Sequence, residues 1–340
     1  MKNWMFVLII LIVLGAFAAG FWIIMKEEEP EEQPPPESAL TIAPFTGEKA
    51  TPPTNRRTVM AVINNHPDAR PQTGLAEADM VFEMIAEYDI TRFLALYQSD
   101  FPETIGPIRS VRDYFVEMAA AYDAFFVAHG YSPDAQLMLE SGMVEHINGL
   151  QHDGTLFQRS SDRIPPHNSY ITTESIETAM RNMQASTEYR WKSPYYFYDS
   201  AENAKLKEQA LSVSVKYGTN ELFYNEYTYD SESQLYSRSS GGVPTTDKET
   251  LETVKVSNVL VFEAPHETVD SEGRQSIDLA NGGKALLFQG GGVREIEWSS
   301  VNGMPVPTAD GEPVKLVPGK TWIHIVPTAP GMAQSVSYTP

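Results

Sequence analysis

Gly106-Pro107-Ile108-Arg109-Ser110-Val111-Arg112-Asp113 is the stretch on which the fold of the first half turns. Ser110 can cap a helix, and Asp113 falls three residues later, an aspartate version of the capping box. Val111, Tyr114, Phe115, Met118 and Tyr122 then make one apolar stripe at helical spacing. The pattern predicts a helix over residues 110–122. The apolar run at 124–128 predicts a buried strand directly after it, stopped by His129-Gly130. Working outward, residues 58–63 are an apolar run of strand length that ends at Asn64-Asn65-His66-Pro67. Residues 78–87 and 91–98 are rich in β-formers and separated by a short turn, the pattern of an antiparallel hairpin. Further helices are predicted over 134–141 and 174–183. Strands interleaved with helices predict an α/β (mixed α+β) domain over residues 57–200.

The texture changes in residues 201–340. Residues 211–215 alternate cleanly, and 256–263, 284–288, 293–298 and 321–326 are further strand candidates. Gly290-Gly291-Gly292 predicts a turn between two of them. This half reads as a smaller, mostly β domain. Tyr195, Tyr196, Tyr198, Tyr224, Tyr227 and Tyr229 could line a groove or serve as ordinary strand residues.

Residues 4–25 are apolar or small and uncharged. At 1.5 Å per residue such a run can cross a hydrocarbon core about 30 Å thick. Residues 1–26 therefore read as one transmembrane anchor, with the amino terminus inside and the body extracytoplasmic. Ala16-Phe17-Ala18 would also fit a cleavage site, but the apolar run continues past it, which favours an uncleaved segment. Residues 27–56 carry a glutamate cluster and many prolines, the composition of an extended stalk.

Cysteine is absent, which excludes disulfides, thiolate metal sites, a cysteine nucleophile and a lipid-modified cysteine. The formal charge of −20 argues against nucleic acid, whose backbone needs a basic surface. Against that acidic background, residues 50–191 contain arginine and no lysine. Arginine is the flat, permanently charged fork that grips carboxylate or phosphate in two-pronged fashion.

The candidate ligand-binding residues follow from that bias. Arg109, Ser110 and Arg112 lie where a helix amino terminus would offer unpaired N–H groups to an anion. Both arginines could instead pair with Glu83, Glu87 or Asp113. Asn64, Asn65 and Arg70 follow the first strand, in the position where α/β folds carry binding groups. Arg92 lies in the hairpin, and His129 directly follows a buried strand. Arg163, His167 and Asn168 belong to a second polar loop stiffened by Pro165 and Pro166. No local metal-binding spacing occurs, so no metal site is assigned and the cofactor is left unknown. No Gly-x-Ser-x-Gly elbow, phosphate-binding loop or dinucleotide fingerprint is present, so no catalytic residue is assigned either.

Several stretches together resemble the YerB-like family of Gram-positive envelope lipoproteins, whose two parts are domains of unknown function. They are Ala61-Val62-Ile63-Asn64-Asn65-His66-Pro67, Ala69-Arg70-Pro71-Gln72-Thr73-Gly74-Leu75, Ile90-Thr91-Arg92-Phe93, the opening segment extended through Tyr114-Phe115, and Pro166-His167-Asn168. Gly283-Lys284-Ala285-Leu286 and Pro318-Gly319-Lys320-Thr321-Trp322-Ile323 extend the likeness into the second half. The resemblance implies an extracytoplasmic, membrane-tethered protein with an α/β first domain. It supplies no activity, and this chain departs from it in lacking the lipoprotein cysteine.

Two functions fit. One is an envelope binding or scaffold protein, holding a cell-wall or lipid-linked anionic ligand, or a cell-wall synthesis protein, at Arg92, Arg109, Arg112 and Asn65. The other is a phosphotransferase or hydrolase acting on a (pyro)phosphate-linked substrate, with a divalent metal on Asp79, Glu83 and Asp113. The order of elements resembles, in topology alone, the LytR–CpsA–Psr-type glycopolymer transferases.

Overall fold

A computed structural model describes residues 42–49, 55–190, 192–201, 204 and 206–340. The expected anchor at 4–25 lies outside the described residues, as does most of the expected stalk. Among the described residues, no helix is long and apolar enough to cross a membrane.

The first half supplies β1 (Val59–Asn64), β2 (Met80–Glu87), β3 (Ile90–Tyr97), α1 (Asp113–Ala121), β4 (Phe125–Ala128), α2 (Pro133–Glu140), β5 (His146–Asn148) and α3 (Thr173–Met183). The second half is strand-rich. It supplies β6 (Ser212–Val215), β7 (Asn225–Asp230), β8 (Leu235–Ser240), β9 (Asn258–Ala264), β10 (Gly283–Gln289), β11 (Gly292–Val301), β12 (Met304–Ala309), β13 (Glu312–Pro313), β14 (Thr321–Pro327) and β15 (Val336–Thr339).

The predicted hairpin is present: β2 and β3 pair antiparallel. The two halves share one twelve-stranded sheet, ordered β13-β12-β11-β10-β9-β14-β2-β3-β1-β4-β5, with Glu208–Gln209 added beside β11. The seam is the parallel pair β2–β14, which places Glu83 opposite His324. Strands near that seam are apolar on both faces, as expected of a sheet covered on both sides. Met60 and Val62 pack toward α1 and α2 on one face. Val59, Ala61 and Ile63 pack on the other, with α3 and with Val213, Val215, Tyr227 and Tyr236 of a six-stranded antiparallel sheet built on β6, β7, β8 and β15.

Two local expectations are corrected. The first helix begins at Asp113, not Ser110, and its N-cap is Arg112 with no capping side chain. The segment before it is extended because its backbone is claimed by neighbouring strands. Arg109 N donates to Val62 O, His129 N to Arg109 O and Val111 N to Gly130 O. These ties wedge the segment between β1 and β4 at their carboxyl ends and outweigh the local capping pattern. The stalk expectation also fails at its end. Phe45 is buried among Tyr122, Tyr189 and Tyr195, and Gly319 N donates to Thr46 O, so residues 42–49 belong to the folded body. Tyr195 and Tyr227 are buried core residues; Tyr196 is exposed.

Candidate functional site

β2 carries two carboxylates, Glu83 and Glu87, and each organises its own arginines. Glu87 Oε1 accepts from Arg92 Nη2 at 2.6 Å and Oε2 at 2.8 Å, while Arg112 Nη2 also donates to Oε2. Arg92 Nη1 finishes on Ser110 O. Burial alone would raise the Glu87 pKa, but Arg92 and Arg112 outweigh it and hold it below the usual carboxylate range. Arg92 and Arg112 are buried and satisfied. This corrects their assignment as ligand residues: they clamp the extended segment to the hairpin. Ser110 is likewise no helix cap.

Glu83 is fully buried and gathers five donors from across the molecule. Thr91 Oγ1 at 2.9 Å, Asn225 Nδ2 at 3.1 Å and Asn65 Nδ2 at 3.4 Å donate to Oε1. Arg238 Nη2 at 2.9 Å and Trp322 Nε1 at 3.1 Å donate to Oε2. Burial would raise the Glu83 pKa; Arg238, His324 and the hydrogen bonds reverse that and hold it low. His324 is locked between Tyr217 and Tyr227, and burial pushes its pKa down to about 4.

Above Glu83 lies a cavity of about 300 Å³ lined from both halves. Arg238 and Asn65 are at its inner end. Arg70, Gln72, Thr245 and Ser240 add polar groups, and Pro67, Pro71, Leu222, Val243 and Pro244 add apolar ones. Arg238 is 2% exposed, with its guanidinium carbon 4.2 Å from the Trp322 ring centre and 5.2 Å from that of Phe93. Its Nη1 donates to Thr245 Oγ1 at 2.6 Å, yet its buried Nε–H and the buried Ser240 hydroxyl have no partner among the described residues. Buried polar groups are normally paired, and these two lie together on the wall of one cavity. Arg70 donates only to neutral acceptors, Asn65 O at 2.9 Å and Leu222 O at 2.8 Å among them. Burial and then the Arg238 charge lower its pKa to about 10. Two guanidiniums thus share one carboxylate, and the site is left net positive.

The remaining candidates collect at the carboxyl ends of β1 and β4, around Arg109. That side chain is half-buried and makes no hydrogen bond or ion pair among the described residues. Its charge helps to depress the pKa of both His167 and His129, after desolvation by burial. Asn64 Nδ2 faces His167 Nδ1 at 2.9 Å, and Asn64 Oδ1 accepts from His66 N at 2.9 Å. His129 Nδ1 lies 2.7 Å from Ser169 Oγ, and Arg159 Nη2 lies 2.9 Å from its Nε2. Arginine can only donate, so Nε2 accepts and Nδ1 carries the proton toward Ser169. The pair is oriented opposite to a serine nucleophile and its base. A side chain at Gly149 would meet the His129 ring, its Cβ 2.1 Å from Nδ1. Arg163 and Asn168 serve architecture. Arg163 ties Ala69 O at 2.8 Å, Pro71 O at 2.6 Å and Tyr170 OH at 2.7 Å; Asn168 accepts from Arg159 at 3.1 Å.

The predicted site is therefore split. Asn65 and Arg70 go to the cavity; Asn64, Arg109, His129 and His167 to the strand ends; Arg92, Arg112, Arg163 and Asn168 to internal structure. The acidic set Asp79, Glu83 and Asp113 does not assemble. Asp79 is buried and accepts from Gln98 N, Ser99 N and Ser99 Oγ. Glu83 lies four residues along the chain, about 13 Å away in an extended strand. Asp113 starts α1. Arg238 and Ser240 were missed because nothing in their local sequence marks them. Their alternation along β8, Tyr236, Arg238 and Ser240 all inward, is the one signal that could have found them.

Comparison with known proteins agrees with the geometry of two matched halves. The family profile described as "Protein of unknown function (DUF3048) N-terminal domain" matches residues 45–186, and that for the C-terminal domain matches residues 213–323. The "Putative lipoprotein YerB" of Bacillus subtilis (strain 168) is 48% identical over 290 residues, covering 84% of this chain and 86% of that protein. A crystal structure of the YerB protein from Bacillus subtilis superposes with a TM-score of 0.81 at 45% identity, covering 88% of this chain and 99% of that one. The chain belongs to this two-domain YerB-like (DUF3048) family.

Proposed function

We propose that this protein is an extracytoplasmic envelope protein that binds a small anionic ligand in the cavity between Arg70 and Arg238. One observation carries the reading: the buried Arg238 Nε–H faces the cavity beside Arg70 and has no partner among the described residues. An uncompensated charge in a desolvated site is costly, and a bound anion removes that cost. The ligand's anionic group, carboxylate or phosphate, lies against Arg70, Arg238 and Ser240. Its apolar part lies against Leu222, Val243 and the prolines. A cell-wall or lipid-linked fragment has this chemistry, and a wall-synthesis protein is the partner such a carrier would serve.

The envelope location rests on the likeness to a named lipoprotein and on the apolar run at residues 4–25. With no cysteine available for a lipid, that run is the proposed single-pass anchor, amino terminus inside.

Calorimetric titration of the compact unit Leu40–Pro340 with phosphate, pyrophosphate, lipid-phosphate mimics and wall fragments tests the reading. Saturable binding to the wild type that is lost in a folded Arg70→Ala variant is expected. Equal heats in both proteins, or none with any anion, would overturn it.

A further inference from the structure

We propose a second, independent site at the carboxyl end of β1: a divalent transition-metal site formed by His66, Asp68 and His167. One ligand atom from each of the three lies within 4.8 Å of the others. His66 Nδ1 is 3.6 Å from Asp68 Oδ2. The two imidazole rings are stacked with centres 4.5 Å apart. Near-parallel rings do not aim both in-plane lone pairs at one point, so chelation turns one imidazole about its Cβ–Cγ bond while the three donor atoms stay close. With metal–nitrogen bonds of about 2.1 Å, two imidazoles on adjacent positions of one ion put their ring centres roughly 4.5–5 Å apart.

The donor set is two histidines and one carboxylate, which suits zinc, iron or manganese and leaves positions open for another ligand. The loops hold the three residues in place without the metal. His66 caps the short helix Pro67–Ala69 by accepting from Asp68 N at 3.2 Å. Asn64 bridges the two histidines, accepting from His66 N and donating to His167 Nδ1. Both rings therefore carry their free lone pair on Nδ1, each now satisfied by one neutral N–H. Metal binding exchanges those two hydrogen bonds for coordinate bonds. Nδ1 is also the atom that His66 already directs at Asp68.

All three side chains are partly or fully exposed, so an ion can enter from solvent. Beside them stands Arg109, whose guanidinium makes no hydrogen bond or ion pair among the described residues. A metal with open positions next to a guanidinium that makes no hydrogen bond among the described residues is a site for an anionic second ligand, with one oxygen on the metal and another on Arg109. Local spacing could not have indicated this group, because His167 lies far from His66 and Asp68 in sequence.

The test uses the untagged full chain, freed of metal by chelator, titrated with Zn²⁺, Mn²⁺ and Mg²⁺ by calorimetry and with Co²⁺ by visible absorption. The variants are His66→Ala, His167→Ala, Asp68→Asn and, as a control, His152→Ala. One ion per chain should bind the wild type and the control, with Zn²⁺ far ahead of Mg²⁺. Each of the other variants, folded by circular dichroism, should bind at least about tenfold more weakly and lose the Co²⁺ band. Undiminished Zn²⁺ affinity in either histidine variant, an unchanged Co²⁺ band in Asp68→Asn, or no binding to the wild type would overturn the site.

Discussion

Two arginine pairs sit at the two ends of the same short run of β2, and they differ in one respect. Arg92 and Arg112 both reach Glu87, so each guanidinium meets the carboxylate directly, although here too two positive charges stand against one negative. Arg70 and Arg238 face Glu83, but only Arg238 reaches it, and Glu83 also serves Thr91, Asn225, Trp322 and Asn65. In the first pair both guanidiniums hydrogen-bond their carboxylate. In the second, Arg70 does not reach it, the Arg238 Nε–H is without a partner among the described residues, and a cavity lies beside both. An arginine signals a ligand site through the acceptors it lacks rather than through its presence.

The largest effect separates the two carboxylates. Glu83→Ala strands the buried Arg238 and should cost about 3–5 kcal/mol, read as a lowered midpoint in urea unfolding. Glu87→Ala affects a pair whose carboxylate is 20% exposed, and should cost less, about 1–3 kcal/mol. Equal costs would mean the two carboxylates do the same job. An anion that fills the cavity should stabilise the wild type by about 2.7 kcal/mol at roughly 100 times its Kd. The same anion should leave Arg70→Ala unmoved, and Arg112→Met should keep the full response. A response lost in Arg112→Met would place the site at the wrong pair.

The smallest effect is pH dependence. His324 and His266 have pKa values pushed down by burial to about 4, below the ordinary 6.5. Between those values the unfolded chain binds more protons than the folded one, so stability falls as pH drops from about 6.5 to about 4. Asp79 acts oppositely: burial raises its pKa to about 6, so its folded state gains protons and stability as pH falls toward 3.8. Partial cancellation makes the net slope modest. His324→Gln should flatten it further in denaturant midpoints measured across that range; a steeper slope would mean His324 is charged when folded.

Much of this was legible in sequence. The apolar runs that became β1, β2, β3 and β4 and the helix ending near Tyr122 were readable because their signals are local. Ser110 misled because a capping pattern describes a free segment, whereas here Val62 and Gly130 claim the backbone. The arginine bias pointed to anion chemistry, but only the carboxylate each guanidinium meets decides which are used up. Arg238, on β8 of the six-stranded sheet, meets Glu83 on β2 across 155 positions of sequence. No local spacing carries that.

The Arg70–Arg238 cavity is proposed as an anion site. Crystals of the Leu40–Pro340 unit soaked in bromide and in selenate, with anomalous scattering recorded, test it most directly. An anomalous peak is expected in the cavity within hydrogen-bond reach of Arg238 Nε and Arg70, absent in Arg70→Ala crystals. Anions found only on the surface, with a water alone against Arg238 Nε, would contradict it.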